Sequence, residues 1–195
     1  MSDVITNLTM SLDGFIAYPD DTVGGLFDWY RGGDVPLIDF GGRESRLTPP
    51  SAAFLRAEFD RVGAFLVGRR LYDLTGGWGG RPPVEAPMVV VTHAAPAGPP
   101  PTGGVPITFA TDGIEAAVTE ARELAGNGVV SVAGAKLARS CLDAGLLDEI
   151  IVNLVPLLLG KGVPFLAGTQ ETVRLKDPEI TPAPGVTHLR YRMSR

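Results

Sequence analysis

The 195-residue chain has one cysteine, Cys141, and two histidines. A lone thiol makes no internal disulfide, and so small a Cys/His set does not supply the usual zinc ligands. Cys141 falls among helical apolar positions, where a buried thiol is expected rather than a nucleophile. Nothing approaches the roughly 20 apolar residues of a membrane helix. The best candidate, 150–159, is interrupted by Asn153 and Pro156. The N-terminus has no basic stretch leading into an apolar one, so a cytoplasmic protein is expected. Basic excess is missing too: a net charge of −5 argues against a nucleic-acid partner. Neither Gly-x-Gly-x-x-Gly nor the P-loop pattern occurs, which removes the signatures of Rossmann dehydrogenases and P-loop NTPases.

What is present is the composition of a soluble globular protein, 45% hydrophobic and 20% charged, in a length suited to one domain. Val4–Met10 alternates apolar and polar residues as a strand does. Residues 18–49 form a long connector with three Gly-Gly pairs and the aromatics Phe27, Trp29, Tyr30 and Phe40, which favour an ordered loop. Thr48-Pro49 reads as a helix start, followed by Ala52, Leu55, Phe59 and Val62 at helical spacing. Strands are predicted at 64–67, 88–92, 107–110, 129–132, 150–155 and 186–193, with a weaker edge piece at 174–175. Asp112 and Glu115 resemble a capping box for a helix over 114–125, with Ile114, Val118, Ala121 and Leu124 facing inward. A further helix starts after Gly134. Strands alternating with helices imply an α/β fold, a three-layer, mainly parallel mixed sheet; the helix-poor C-terminus suggests that it closes antiparallel.

Ligands of such sheets collect beyond the carboxyl ends of the strands. Three of these ends suit anions: Gly68-Arg69-Arg70, Thr92-His93, and Gly134-Ala135-Lys136-Leu137, which opens a helix. Each has a plainer reading as well, Gly134 as a tight corner, the arginines as solvated, His93 as a surface residue. Asn153, polar within an apolar strand, needs a partner, either a cleft ligand or backbone.

The chain resembles the reductase half of the bifunctional riboflavin-biosynthesis deaminase–reductase and, more distantly, dihydrofolate reductase. The matching motifs are Ser11-Leu-Asp13-Gly14-Phe-Ile-Ala17, Gly68-Arg69-Arg70-Leu71-Tyr-Asp73, Ala133-Gly134-Ala135-Lys136-Leu137, Gly145-Leu-Leu-Asp148-Glu149 and Pro156-Leu-Leu-Leu159-Gly160-Lys-Gly162, in the family's order across nearly the whole chain. The zinc signature of a deaminase half is absent. The resemblance implies a single dihydrofolate-reductase-like domain over 1–195, NADPH as cofactor, and hydride transfer to a small heterocyclic or sugar-linked substrate, commonly in a homodimer. It places the cofactor at Ala17, Gly68, Arg69, Arg70, Leu71, Thr92, His93 and the 134–137 turn. Asp13 becomes a candidate for substrate orientation or proton supply, or else a turn cap. Asp28, Trp29 and Asn153 become candidates for the substrate wall, the loop aromatics equally for an apolar cover. The 150–159 stretch is a candidate dimer interface. Three departures stand out. Leu71 replaces a common threonine, Ala133 replaces the first of two glycines, and no carboxylate lies near Ser51–Ala53, where dihydrofolate reductases hold the pterin. The first two favour a non-catalytic binding domain as the alternative.

Overall fold

The computed structural model describes residues 1–194. Its elements, in chain order, are β1 (Val4–Ser11), β2 (Phe15–Ala17), a 3-10 segment (Gly24–Arg31), β3 (Val35–Ile38), β4 (Glu44–Leu47), α1 (Pro49–Asp60), β5 (Val62–Gly68), α2 (Arg69–Thr75), a second 3-10 segment (Gly76–Gly80), β6 (Met88–Val91), β7 (Ile107–Ala110), α3 (Ile114–Ala125), β8 (Val129–Ala133), α4 (Ala135–Asp143), β9 (Glu149–Val155), β10 (Val163–Pro164), β11 (Glu179–Ala183) and β12 (Val186–Arg192). Eight strands make the main sheet, in the order β11-β12-β9-β1-β8-β5-β6-β7. From β9 to β7 the pairings are parallel, and β12 and β11 add an antiparallel hairpin. The mixed, mainly parallel sheet matches the expectation from the sequence.

Parallel strands covered on both faces must be apolar on both, and β5 shows it: Ala64 and Leu66 enter one core, Phe65 and Val67 the other. The first core lies under α3 and α4 and includes Cys141, whose thiol burial pushes up to about 12, an inert value. A third cluster joins Leu26, Trp29, Leu47, Leu55 and Val186 beneath the 3-10 segment and α1.

Several expectations need correction. The 18–49 connector is ordered, as its aromatics suggested, but contains the β3–β4 hairpin and a 3-10 segment. The predicted edge piece at 174–175 is only an isolated bridge from Leu175 to Met193; the edge strand proper is β11. Helix α3 has the predicted limits, yet Gly113, at φ +95°, is its N-cap and no side chain caps it. Glu115 therefore falls at the second helical position, out of register for a capping box with Asp112. The inward stripe of α3 is Ala117, Val118, Ala121 and Ala125, leaving Leu124 at 42% exposure. Strand β9 is hydrogen-bonded to β1 on one edge and β12 on the other, and its side chains are almost all buried. The β9 part of the 150–159 stretch is thus interior and offers no free face, while Pro156 and Leu158 beyond it are exposed. Among the described residues no helix is long and apolar enough to cross a membrane.

A buried charge cluster ties α1 to the sheet's antiparallel side. Glu58 and Glu149 are 2% and 4% exposed. Arg61 Nη1 donates to both, at 3.2 and 2.8 Å, and Arg190 donates to Glu58. Removing one partner strands buried charge of the opposite sign. Glu58→Ala should therefore lower unfolding free energy by about 3–5 kcal/mol in urea titration; a loss under about 1 kcal/mol would show that the cluster is effectively solvated.

Candidate cofactor and substrate site

The sheet register brings together three short motifs that lie far apart in the chain. Val67 pairs with Ala133, and Gly68 with Val91. The corners after β8, β5 and β6, namely Gly134, Gly68 and Thr92, consequently stand in a row at one edge of the sheet. Gly134 is the N-cap of α4 at φ +106°, ψ 130°, with no side-chain cap, and a Cβ built on it would meet nothing within 4 Å. The helix thus presents free N–H groups and its positive dipole end to open space. Ala135 and Leu137 are buried against the core beneath, while Lys136 is exposed. Among the described residues no peptide is cis, so the Ala133–Gly134 bond is trans. A side chain at Gly134 would be strained by φ alone, whatever approaches it.

The two arginines are less free than their sequence suggests. Arg69 Nε donates to both Asp73 carboxylate oxygens, at 2.8 and 2.9 Å, and its Nη1 to the Ala94 carbonyl at 3.0 Å. Thr92 Oγ1 donates to the same carbonyl at 2.9 Å. Arg70 is paired with Asp21. Both ion pairs are on the surface, where such pairs contribute little and exchange readily. Leu71 is half-buried and packs on the Phe65–Val67 cluster. His93 is exposed.

Asp13 is a latch. Its Oδ1 accepts from Ser11 Oγ at 2.6 Å and from the Leu159 N–H at 3.1 Å, and its Oδ2 accepts from the Gly160 N–H at 2.7 Å. The hydrogen bond from Ser11, with those from Gly160 and Leu159, holds its carboxyl below the usual carboxylate range. An ionised, three-fold bonded carboxylate is a poor proton donor; Asp13 acts as a cap, but of the 159–160 corner rather than of the turn before Gly14. Ala17 is buried on β2, paired with Val163 of β10.

The substrate candidates separate. Asp28 is exposed on the 3-10 segment, whereas Trp29 is 4% exposed, with its indole Nε1 buried and lacking an acceptor among the described residues. Trp29 therefore belongs to the apolar cover. Asn153, 3% exposed, adopts neither arrangement foreseen for it: Nδ2 donates to Asn7 Oδ1 at 2.8 Å, and Oδ1 lies 2.7 Å from His188 Nδ1. His188 Nε2 in turn lies 3.0 Å from Ser51 Oγ. The imidazole is fully buried, stacked on Phe54 at 4.2 Å and edge-on to Trp29 at 5.3 Å. Sequence reasoning missed Ser51, His188 and Asn7. One signal was available: alternation along β12 places His188 on the same inward face as Val186.

Burial lowers the His188 pKa from 6.5 to about 4. The unfolded chain then binds a proton between these values that the folded chain refuses. This contribution to stability is complete above pH 6.5 and is lost as pH falls toward 4, by about 3 kcal/mol in total. Urea unfolding at pH 6.5 and 4 should show a smaller loss in His188→Gln than in the wild type by that amount. Identical losses would mean that the folded protein carries a charged His188.

A mainly parallel sheet closed by an antiparallel hairpin, with helix-opening glycines at adjacent strand ends, defines a dihydrofolate-reductase-like domain. Within that class the chain belongs to the RibD C-terminal domain family, whose model matches residues 2–189. The uncharacterized protein YwjB of Bacillus subtilis (strain 168) is 25% identical over 175 residues, 87% of this chain and 86% of that protein. A protein from Shewanella sp. PV-4, named as a putative riboflavin biosynthesis protein, superposes with a TM-score of 0.70 at 20% identity, covering 100% of both chains. The deaminase/5-amino-6-(5-phosphoribosylamino)uracil reductase of Thermotoga maritima gives 0.65 at 16% identity, with 99% of this chain on 57% of that one. Dihydrofolate reductase from Enterococcus faecalis, complexed with NADP(H), gives 0.58 at 14% identity over 99% of this chain and 97% of that one. At these identities the structures establish the fold. The family and its structural neighbours include reductases.

Proposed function

We propose that this protein is an NADPH-dependent reductase of the riboflavin-pathway pyrimidine-reductase type, acting on a small heterocyclic or sugar-linked substrate. The observation that carries the proposal is the row of strand ends at Gly134, Gly68 and Thr92. There an uncapped helix start faces open space, with Lys136 and Arg69 beside it. That arrangement fits a dinucleotide bearing a pyrophosphate and a 2′-phosphate. N–H groups of the Gly134–Leu137 turn would hold the pyrophosphate, and Arg69, Arg70 and Thr92 the second phosphate. The bound nicotinamide supplies the hydride; the protein supplies orientation and a water-poor cleft.

In this reading Asp73 and Asp21 compete with phosphate for the arginines. That competition, with Leu71 lacking a hydroxyl, favours a second reading, a domain that binds NADPH without turnover. Monitoring NADPH oxidation against pyrimidine, pterin and quinone substrates separates the two.

NADPH should bind more tightly than NADH by about 1–3 kcal/mol, and the double variant Arg69→Ala/Arg70→Ala should lose most of that difference in calorimetric titration. Equal affinities in the wild type would remove these arginines from the site.

Dihydrofolate should turn over more slowly than about 1 per second, the low end of ordinary enzyme rates. The position expected to hold the pterin carboxylate carries Ser51, 1% exposed and committed to His188. Faster turnover in a steady-state assay would require an acid elsewhere.

A further inference from the structure

Asn7 lies midway along β1, between β8 and β9, yet its side chain is only half-buried. A side chain at the centre of a sheet reaches solvent only where the covering layer is open. Alternation places Asn7 on the face of Thr9, whose cross-strand row runs through Asn153 to His188 and so to Ser51 on α1. The parallel register, Thr6 with Val132, sets Asn7 beside Ala133, the residue before Gly134. The opening over Asn7 therefore adjoins the candidate cofactor seat.

The hydrogen bonds beneath that opening run in one direction. Asn153 uses its amide nitrogen on Asn7 Oδ1, so its own oxygen must accept, and His188 Nδ1 carries the hydrogen. A neutral imidazole with a proton on Nδ1 has an acceptor at Nε2, which receives the Ser51 hydroxyl. Ser51 Oγ accepts in turn from Thr48 Oγ1 at 3.3 Å. At the far end, Asn7 Nδ2 has no acceptor among the described residues. An isolated asparagine can turn its amide over and present oxygen instead. Here, turning Asn7 over would set its NH2 against that of Asn153, and correcting this would mean reversing every bond back to Ser51.

We propose that the chain Thr48–Ser51–His188–Asn153 is a positioning relay that fixes Asn7 as a hydrogen-bond donor in the substrate opening. It selects molecules that place a carbonyl oxygen or an unprotonated ring nitrogen there. Molecules offering only N–H groups at that position are rejected because two donors would face each other. The inference rests on the reductase reading for the identity of the opening, but the direction of the relay can be measured without any ligand.

The first measurement is the imidazole tautomer of His188, by 15N NMR of the full chain at neutral pH. The Nδ1–H form is expected; the Nε2–H form would reverse the relay and overturn the proposal. In the second, uracil, a planar probe with two carbonyls, is titrated into the NADPH-loaded protein. The Asn7 side-chain amide signal should shift, and one that stays still overturns the proposal. Asn7→Asp keeps the shape and the acceptor for Asn153 but removes the donor. Measured at saturating NADPH, it should weaken uracil about tenfold or more; unchanged uracil affinity overturns the assignment. Ser51→Ala, outside the opening, tests the relay itself: His188 should become a tautomer mixture and uracil affinity should fall, whereas a retained single tautomer counts against the relay. If the wild type does not bind NADPH, the reductase reading fails, while the ligand-free tautomer still decides the relay's direction.

Discussion

Parallel pairing is the constraint from which the rest of this structure follows. Neighbouring parallel strands point their carboxyl ends the same way, and each must send the chain back across a face before the next can begin. In β8 and β5 that return starts at once as a helix, α4 and α2, so the corner residues meet in a row although Gly68 and Gly134 are 66 positions apart. The candidate cofactor seat is a consequence of that row. Small residues at the corners keep backbone N–H groups reachable, and the apolar strands behind them exclude water from one side.

Charge in this acidic protein is largely committed. Arg61 and Arg190 serve the buried Glu58 and Glu149, and Asp13 serves the backbone of the 159–160 corner. Even Arg69 and Arg70, at the candidate seat, are occupied by Asp73 and Asp21. The difference lies in burial. The Glu58 pairs sit where desolvation makes exchange costly, whereas the pairs at the candidate seat face water and can be exchanged for a stronger anion.

The cluster around His188 shows the opposite economy, with neutral polar groups in place of carboxylates. Serine, histidine and two asparagines hold an orientation that charge could not hold as cleanly, because each has a defined number of donors and acceptors. Phe54 and Trp29 wall the imidazole off from water and keep it neutral. This interior differs from the carboxylate that the dihydrofolate-reductase resemblance leads one to look for.

The main-sheet strands β1, β5 to β9 and β12, the helices α1, α3 and α4, and the small-residue corners were legible in the sequence, because periodicity and glycine placement are local consequences of backbone geometry; the β3–β4 hairpin, α2 and the edge strand β11 were not. The family was legible too, carried by motifs whose order survives without any coordinates. The sequence by itself therefore determined the class of fold and the positions of the three strand-end corners. Tertiary structure alone decided that those corners adjoin, that Asp73 and Asp21 occupy the arginines, that β9 is interior, and that His188 pairs with Ser51 from 137 positions away. Each depends on which residues long-range strand pairing brings within hydrogen-bonding reach, and no local pattern of side chains encodes that distance.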